Sequence, residues 1–292
     1  MTSLARPPIV ARMLLAQLLD HTRIEVVGED AQEWLQGQLT CDLNPSQPGD
    51  ATFGLILSPQ GKIVSDTWVL HHPNSEDEQV FSLSLPRQHA ETALKRLERY
   101  LVMEDVELEI SALRLVSAQG PGAYDTLSAL TESHVWCVSR FGKIDDPRNG
   151  AEVWLQPDDA QTVLRSLPAA SEEAWRHARI EAGWPTMDNE IDDSCLPQEL
   201  GLFSALSFEK GCYLGQEPVV MLEHRGKPPR RLAWVRGQVR EGAEVMAGRR
   251  VAGVIRSCAS GVGLALIKRR WLEDDLTVDG MSVSVSVIEH RA

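Results

Sequence analysis

The stretch of sequence that says most about this chain reads Lys210-Gly211-Cys212-Tyr213-Leu214-Gly215-Gln216-Glu217-Pro218. Two glycines flank a cysteine and a tyrosine, and glycine permits positive φ angles and the close approach of a ligand to the backbone. Pro218 suits the first turn of a helix. Cys212 is therefore predicted to lie just before a helix N-terminus, with Lys210 close in sequence, and both features favour the thiolate.

This Cys212 loop (residues 210–217) is open to several interpretations. It could present a nucleophile, a transient metal or cluster ligand, or a clamp for a ligand, with Gln216 and Glu217 adding an amide and a carboxylate. The alternative is a small buried cysteine in a tight turn. The concentration of glycine, cysteine, tyrosine, glutamine and glutamate in one short segment favours a function. A hydrolase triad is not indicated, because His224 is predicted to lie well down the following element.

Upstream of the loop, strand and helix patterns alternate in two cycles, which predicts an α+β fold with two related halves. Period-two and apolar runs predict strands over residues 23–27, 51–57, 62–70, 79–85, 102–110, 113–118, 135–139 and 151–155. Helical spacing predicts helices that start after Asp30 and over residues 87–101, 122–130, 158–167 and 171–183. Asp30 with Glu33 has the form of a capping box, and Gly183 followed by Pro185 predicts a helix stop.

Downstream of the loop the chain becomes β-rich. Strands are predicted over residues 230–239, 245–258, 262–268 and 281–288, separated by glycines, which indicates a small closed barrel or sandwich. The run Gly226-Lys227-Pro228-Pro229 marks the change. We therefore expect one region over residues 1–226, made of two interleaved α+β modules, and a barrel module over residues 227–292.

The charge of the chain is unevenly distributed. The formal net charge is −13, but residues 221–292 carry 13 basic and 8 acidic side chains, a local balance of +5. A basic C-terminal module on an acidic body could attract an anion such as polyglutamylated folate, although charges of this kind also simply solvate a surface. Nucleic acid is disfavoured as a partner, because no cluster of basic residues is interleaved with aromatic residues.

The cysteines and the apolar runs indicate the compartment. The five cysteines are odd in number and form no C-x-x-C pair, which argues against a disulfide framework and a structural zinc site. Reduced thiols fit the cytosol. The apolar run over residues 13–19 is too short to cross a bilayer. We expect a cytoplasmic protein, without membrane association and monomeric.

The Cys212 loop resembles the K-G-C-[YT]-x-G-Q-E signature of the YgfZ family. The likeness extends to the approach to the loop, in Leu196-Pro197-Gln198-Glu199-Leu200 and Leu206-Ser207-Phe208-Glu209. It also includes the early run Trp34-Leu35-Gln36-Gly37-Gln38-Leu39-Thr40. The matches span residues 24–226 and continue more weakly through the β-rich module.

The resemblance implies a fold, a ligand and a set of site residues. YgfZ-type proteins are similar to the T-protein of the glycine cleavage system, so an α+β ring of three modules around a central folate cavity is expected, with a small C-terminal β-barrel. Glu199 falls on the carboxylate that holds the pterin, whose two-donor edge a carboxylate matches. The likeness implies chemical roles for Cys212 and Lys210. It also implies folate-binding roles for Gln38, Asp66, Gln198, Gly211, Tyr213, Gly215, Gln216 and Glu217.

The sequence departs from both families at defined positions. Met187 stands where the T-protein has an aromatic residue beside the pterin, and Ser65-Asp66 stands where it has two aspartates. Asp66 is expected to point inward, which would require a partner or a raised pKa, or else to face solvent. The T-protein lacks Cys212, which points away from simple one-carbon transfer. Met221 replaces an arginine of the YgfZ pattern, and this change would weaken contact with an anionic tail or a partner protein.

Three functions remain open at this point. The resemblance implies a tetrahydrofolate-binding protein that supports the assembly or repair of iron–sulfur proteins through transient contact with client proteins. The second hypothesis is a tetrahydrofolate-dependent enzyme that transfers an aminomethyl or methyl group. The third is an interaction scaffold with a vestigial folate cavity. No resident metal is expected, because one loop cysteine cannot hold a cluster.

Overall fold

The computed structural model describes residues 13–74, 78–141 and 146–290. The chain divides into two compact units: one combines the segment ending at Leu19 with Arg114–Trp184, and the other combines Asp20–Leu113 with the segment from Pro185 onward. Each unit contains antiparallel sheet and helices, so the predicted α+β class is confirmed.

The described residues form fifteen strands and six α-helices. The strands are β1 (Leu15–Leu19), β2 (His21–Gly28), β3 (Ala51–Leu57), β4 (Ile63–His71), β5 (Gln79–Pro86), β6 (Glu107–Ser111), β7 (Arg114–Gln119), β8 (Trp136–Cys137), β9 (Gly150–Leu155), β10 (Arg230–Arg236), β11 (Glu244–Ala247), β12 (Arg250–Ala259), β13 (Val262–Lys268), β14 (Leu276–Val278) and β15 (Met281–Val287). The helices are α1 (Ala31–Gln38), α2 (Arg87–Glu98), α3 (Ala123–Ser128), α4 (Pro157–Arg165), α5 (Glu172–Ala182) and α6 (Gln216–Arg225).

A five-stranded antiparallel sheet in the order β3-β4-β5-β2-β6 carries the first half of the larger unit. Its core includes Ile24, Leu35, Phe81 and Leu83, all fully buried, and α1 and α2 contribute their apolar faces to it. The β3–β4 hairpin turns where the sequence predicts, because Gly61 takes φ 74° and donates its N–H to the Ser58 carbonyl oxygen at 2.9 Å.

The capping box predicted for α1 is wrong, although the helix begins where expected. The Asp30 side chain makes no capping hydrogen bond. Its Oδ2 instead accepts a bond from the backbone N–H of Asp105 at 2.9 Å. The carboxylate therefore ties a distant loop to the helix start, a contact that local sequence does not reveal.

The four-stranded sheet of the smaller unit runs β1-β7-β9-β8. Strand β1 is not among the strands predicted from the sequence, yet it pairs along β7 from Leu15 to Leu19. The strand predicted over residues 135–139 is shorter than expected, with only Trp136–Cys137 paired. Helix α5 is bounded as predicted, since Ser171 Oγ accepts from Ala174 N at 3.1 Å and Gly183 adopts φ 73°.

The C-terminal segment is a closed six-stranded barrel in the order β10-β13-β12-β11-β14-β15, with β15 pairing back onto β10. Buried apolar side chains that include Val235, Val245, Ile255 and Ile267 fill it. The barrel alternative is thus confirmed over the sandwich. In the part of the chain that the structure describes, no helix has the length and apolar character needed to cross a membrane.

Candidate functional site

The Cys212 loop is anchored on both sides of its cysteine. The Lys210 ammonium donates to the carbonyl oxygens of Leu39 at 2.9 Å and Cys41 at 2.6 Å, which lie just beyond the end of α1. The backbone N–H of Leu214 donates to the Gly37 carbonyl oxygen at 3.0 Å. These contacts attach the loop to the C-terminal end of α1, so the two motifs that carry the family resemblance meet in space.

Lys210 is anchored to backbone carbonyl groups at the end of α1. The Lys210 side chain is buried, and its ammonium lies 5.3 Å from the ring centre of Tyr213. Burial lowers the pKa of Lys210 to about 8, because the charged form loses hydration. In the described residues its hydrogen bonds go to the carbonyl oxygens of Leu39 and Cys41, so Lys210 holds the loop against the end of α1.

Cys212 itself is exposed. Helix α6 begins four residues later, at Gln216. By contrast, Cys41 and Cys195 are buried, and burial raises their thiol pKa values to about 12 and about 11. The interpretation of Cys212 as a buried cysteine in a tight turn is therefore wrong.

Tyr213 and Gly215 explain why the loop needs these residue types. The Tyr213 ring is buried beside the exposed thiol, and burial raises its pKa to about 12. Its hydroxyl oxygen is buried and has no hydrogen-bond partner among the described residues. Gly215 adopts φ 82°, and a Cβ on it would lie 2.4 Å from the Ser58 carbonyl oxygen. Only glycine fits there, whereas a Cβ on Gly211 would meet no atom within 4 Å.

Two of the glutamines expected to contact folate form hydrogen bonds with other residues of the protein. Gln198 is buried and donates its amide to the Val219 carbonyl oxygen of α6 at 2.7 Å. Gln38 accepts from the Arg96 guanidinium at 2.5 Å. Gln216 and Glu217 lie in the first turn of α6, and Glu217 is exposed. The two buried glutamines thus have structural partners, and Glu217 has access to solvent.

Glu199 forms a bidentate ion pair that the sequence did not predict. Its side chain is 2% exposed, and Arg230 of β10 donates Nε and Nη2 to its two oxygens, each at 2.8 Å. Oε2 also accepts from the Leu196 N–H at 3.1 Å. The hydrogen bonds from Arg230 to Glu199, with the negative charge of Glu199, raise the pKa of Arg230. Only proximity in the fold reveals this pair, because 31 residues separate its members.

Glu199 and Arg230 line a cavity of about 990 Å³, which we call the barrel cavity. Lys62 lines it and also lines a second cavity of about 810 Å³ that contains Met187. In this second cavity His89 Nε2 lies 2.7 Å from Asp188 Oδ2. No motif in the sequence indicates this His–Asp pair, because its members lie 99 residues apart.

Asp66 is buried, with 8% of its surface exposed. It lies on β4 opposite Leu55 of β3, and its neighbour Ser65 is fully buried. The inward-facing alternative is therefore confirmed. Within residues 13–74, 78–141 and 146–290, no group of three or more histidine, cysteine, aspartate and glutamate side chains is arranged to hold a metal ion.

The fold defines the class of protein. Residues 13–144 match the GCVT N-terminal domain, and residues 226–290 match the CAF17 C-terminal beta-barrel domain. The structure is similar to the glycine cleavage system aminomethyltransferase T from Bartonella henselae, with a TM-score of 0.80 and 18% identity over 97% of this chain and 88% of that one. The chain therefore has the aminomethyltransferase T fold.

The sequence relatives define the family more closely. A protein of Edwardsiella ictaluri named tRNA-modifying protein YgfZ is 32% identical over 256 residues, which cover 80% of this chain and 74% of that one. A relative of the same name from Aliivibrio fischeri is 29% identical over 219 residues, 73% of this chain and 67% of its own length. The chain belongs to the YgfZ family, as the Cys212 loop predicted.

Proposed function

We propose that this protein binds tetrahydrofolate and uses the Cys212 loop to maintain iron–sulfur proteins. The observation that carries the proposal is the exposed Cys212 thiol on a loop whose neighbours Lys210 and Tyr213 are buried. The hydrogen bonds of Lys210 and Leu214 anchor the loop, and the Cys212 thiol on it is accessible to a partner protein. A buried structural cysteine needs no such arrangement.

The chemistry at Glu199 fits the pterin of tetrahydrofolate. The carboxylate already accepts from a planar pair of N–H donors on Arg230, and the pterin presents a similar two-donor edge. Binding at Glu199 would replace the guanidinium with the pterin edge. When bound, tetrahydrofolate would supply a carrier for one-carbon units, while this chain supplies the carboxylate that orients the ring.

Cys212 is the group that would meet the client protein. A cluster needs several thiolates, so any contact of one exposed cysteine with a cluster is shared with ligands of the client. The relatives are named tRNA-modifying proteins. We infer that the client class includes iron–sulfur enzymes that modify tRNA.

Calorimetric titration of tetrahydrofolate into the wild type, Glu199→Ala and Cys212→Ala tests the first half of the proposal. We expect the wild type and Cys212→Ala to bind with equal affinity and Glu199→Ala to lose binding. Absence of binding to the wild type would refute the folate assignment.

Complementation tests the second half. In cells that lack the protein, iron–sulfur-dependent tRNA modification is expected to recover with the wild type and not with Cys212→Ser. Cys137→Ser is the matched control, because Cys137 is also exposed and lies outside the loop. Equal recovery of tRNA modification with Cys212→Ser and Cys137→Ser would show that the function does not require the Cys212 thiol.

Buried Asp66 favours a second candidate, one-carbon transfer from tetrahydrofolate. A carboxylate screened from water on β4 could hold or accept a proton during transfer. This candidate requires turnover with an aminomethyl or methyl donor, which Asp66→Asn abolishes while tetrahydrofolate binding persists. Binding without turnover across a panel of donors would exclude it.

The Glu199–Arg230 ion pair favours a third candidate, a scaffold with a vestigial cavity. If Arg230 permanently occupies the carboxylate, the wild type shows no affinity for tetrahydrofolate of any kind. The same titration therefore separates this candidate from the first.

A further inference from the structure

Cationic side chains dominate the lining of the barrel cavity. They come from the β3–β4 turn, from the start of β10, and from the end of β13 with the short 3-10 turn that follows it. The five are Lys62, Arg230, Lys268, Arg269 and Arg270. Elements remote in sequence thus bring positive charge to one concave surface.

Four of these cations have unused hydrogen-bond donors. Lys62 donates to the Ser194 carbonyl oxygen at 2.7 Å and Lys268 to the Val251 carbonyl oxygen at 3.1 Å. In the described part of the chain, the guanidinium groups of Arg269 and Arg270 form no hydrogen bond or ion pair. The Arg270 guanidinium lies 5.0 Å from the ring centre of Trp271, which leaves its donor edge open.

The acidic residues of the cavity do not cancel this charge. Glu199 is neutralised by Arg230. Glu273 and Asp274 also line the cavity, and both are exposed. Four cations remain against these two carboxylates, so the cavity favours an anion. The backbone N–H of Arg269 donates to the Pro229 carbonyl oxygen at 2.8 Å, which ties the turn that carries Arg269 and Arg270 to the start of β10.

We propose that the barrel cavity binds the oligo-γ-glutamate tail of folate, with Arg269 and Arg270 as the groups that select long tails. This inference rests on the proposed function, because it requires the pterin to bind at Glu199 in the same cavity. Each added glutamate brings one carboxylate, and arginine pairs with carboxylates through two parallel hydrogen bonds. A phosphate group would have the same chemistry, so the experiment includes a source of phosphate.

The test compares mono- and triglutamyl tetrahydrofolate by calorimetry. We expect the wild type to bind the triglutamate about tenfold more tightly, equivalent to about 1.4 kcal/mol. The difference should shrink as ionic strength rises, because exposed charges are screened. In the double variant Arg269→Gln/Arg270→Gln, both forms should bind with the affinity of the wild type for the monoglutamate.

The control is the double variant Arg165→Gln/Arg249→Gln, which makes the same change in net charge. Both arginines are exposed and lie outside the cavity lining. We expect this variant to keep the full preference for the triglutamate. Loss of the preference in the control would show that overall charge, and not the cavity, selects long tails, and would overturn the proposal.

Two further outcomes would overturn the proposal while leaving folate binding intact. One is equal affinity of the wild type for both tail lengths. The other is a double variant Arg269→Gln/Arg270→Gln that keeps the preference for the triglutamate but binds bulk tRNA more weakly than the wild type does. That result would mean that the cavity binds phosphate groups. Absence of binding to either folate would instead refute the proposed function, so the two failures are distinguishable.

Discussion

Removing the guanidinium of Arg230 should measurably destabilise the larger unit. The substitution Arg230→Met keeps most of the aliphatic stem and deletes both donors to Glu199. The Glu199 side chain is 2% exposed, so water cannot replace the lost bonds without a local rearrangement. Its carboxylate would keep one hydrogen bond within the described contacts, from the Leu196 N–H.

The expected magnitude follows from the burial of the two partners. Breaking a buried ion pair by deleting one partner costs roughly 3–5 kcal/mol. Arg230 is 28% exposed, so water reaches this side of the pair, and we expect the lower end, about 3 kcal/mol. Glu199→Gln leaves a guanidinium that water can solvate, and should cost only about 1 kcal/mol.

Urea unfolding followed by tryptophan fluorescence would measure these values for the wild type, both single variants and the double variant. We expect the double variant to lose less free energy of unfolding than the sum of the single losses, by at least about 1 kcal/mol. Additive losses, or a loss below about 1 kcal/mol for Arg230→Met, would refute a buried, coupled pair.

Three further predictions concern the Cys212 loop. Gly215→Ala should lower the free energy of unfolding by at least about 1–2 kcal/mol, because Gly215 has a left-handed backbone conformation. Gly211→Ala should change the free energy of unfolding by less than about 0.5 kcal/mol. Equal effects of the two substitutions would contradict the close packing at Gly215. A thiol reagent should modify exposed Cys212 rapidly in the native protein and buried Cys41 only on unfolding, and protection of Cys212 would contradict its exposure. Since the folded pKa of Lys210 is lowered to about 8 from an ordinary 10.5, the unfolded chain binds more protons between these values and Lys210 adds stability as pH rises. The free energy of unfolding of the wild type minus that of Lys210→Met, measured in urea titrations, should therefore increase as the pH rises over this range. The increase should stay below about 1.4 kcal/mol per pH unit, because water reaches part of the side chain. A difference that does not change with pH would contradict the buried ammonium.

Much of the fold could be predicted from local sequence. Strand β3 was predicted with its observed limits, Ala51–Leu57, and α5 was predicted from its N-cap serine and C-terminal glycine. These predictions succeed because alternation, capping and chain reversal are decided by residues close in sequence. Strand β1 was not predicted because, among the described residues, the strand that pairs along its length is β7, about a hundred residues away.

The site was predicted less completely than the fold. The sequence indicated the Cys212 loop and Glu199 as site candidates, but it did not predict the partners of Lys210 or of Glu199. Lys210 bonds to Leu39 across 171 residues. The partners of a buried charge depend on which carbonyl oxygens or charged groups the fold brings within hydrogen-bond distance. The local sequence pattern contains no information about distances between residues that are far apart in the chain.

Motif and periodicity are local properties of the chain, so the family, the α+β class, the β-rich end and the loop that carries Cys212 can be predicted from the amino-acid sequence. The exposure of Cys212, the pairing of Glu199 with Arg230 and the grouping of five cations at one cavity follow from the fold. Burial and charge pairing are properties of space, and residues far apart in the chain set them together.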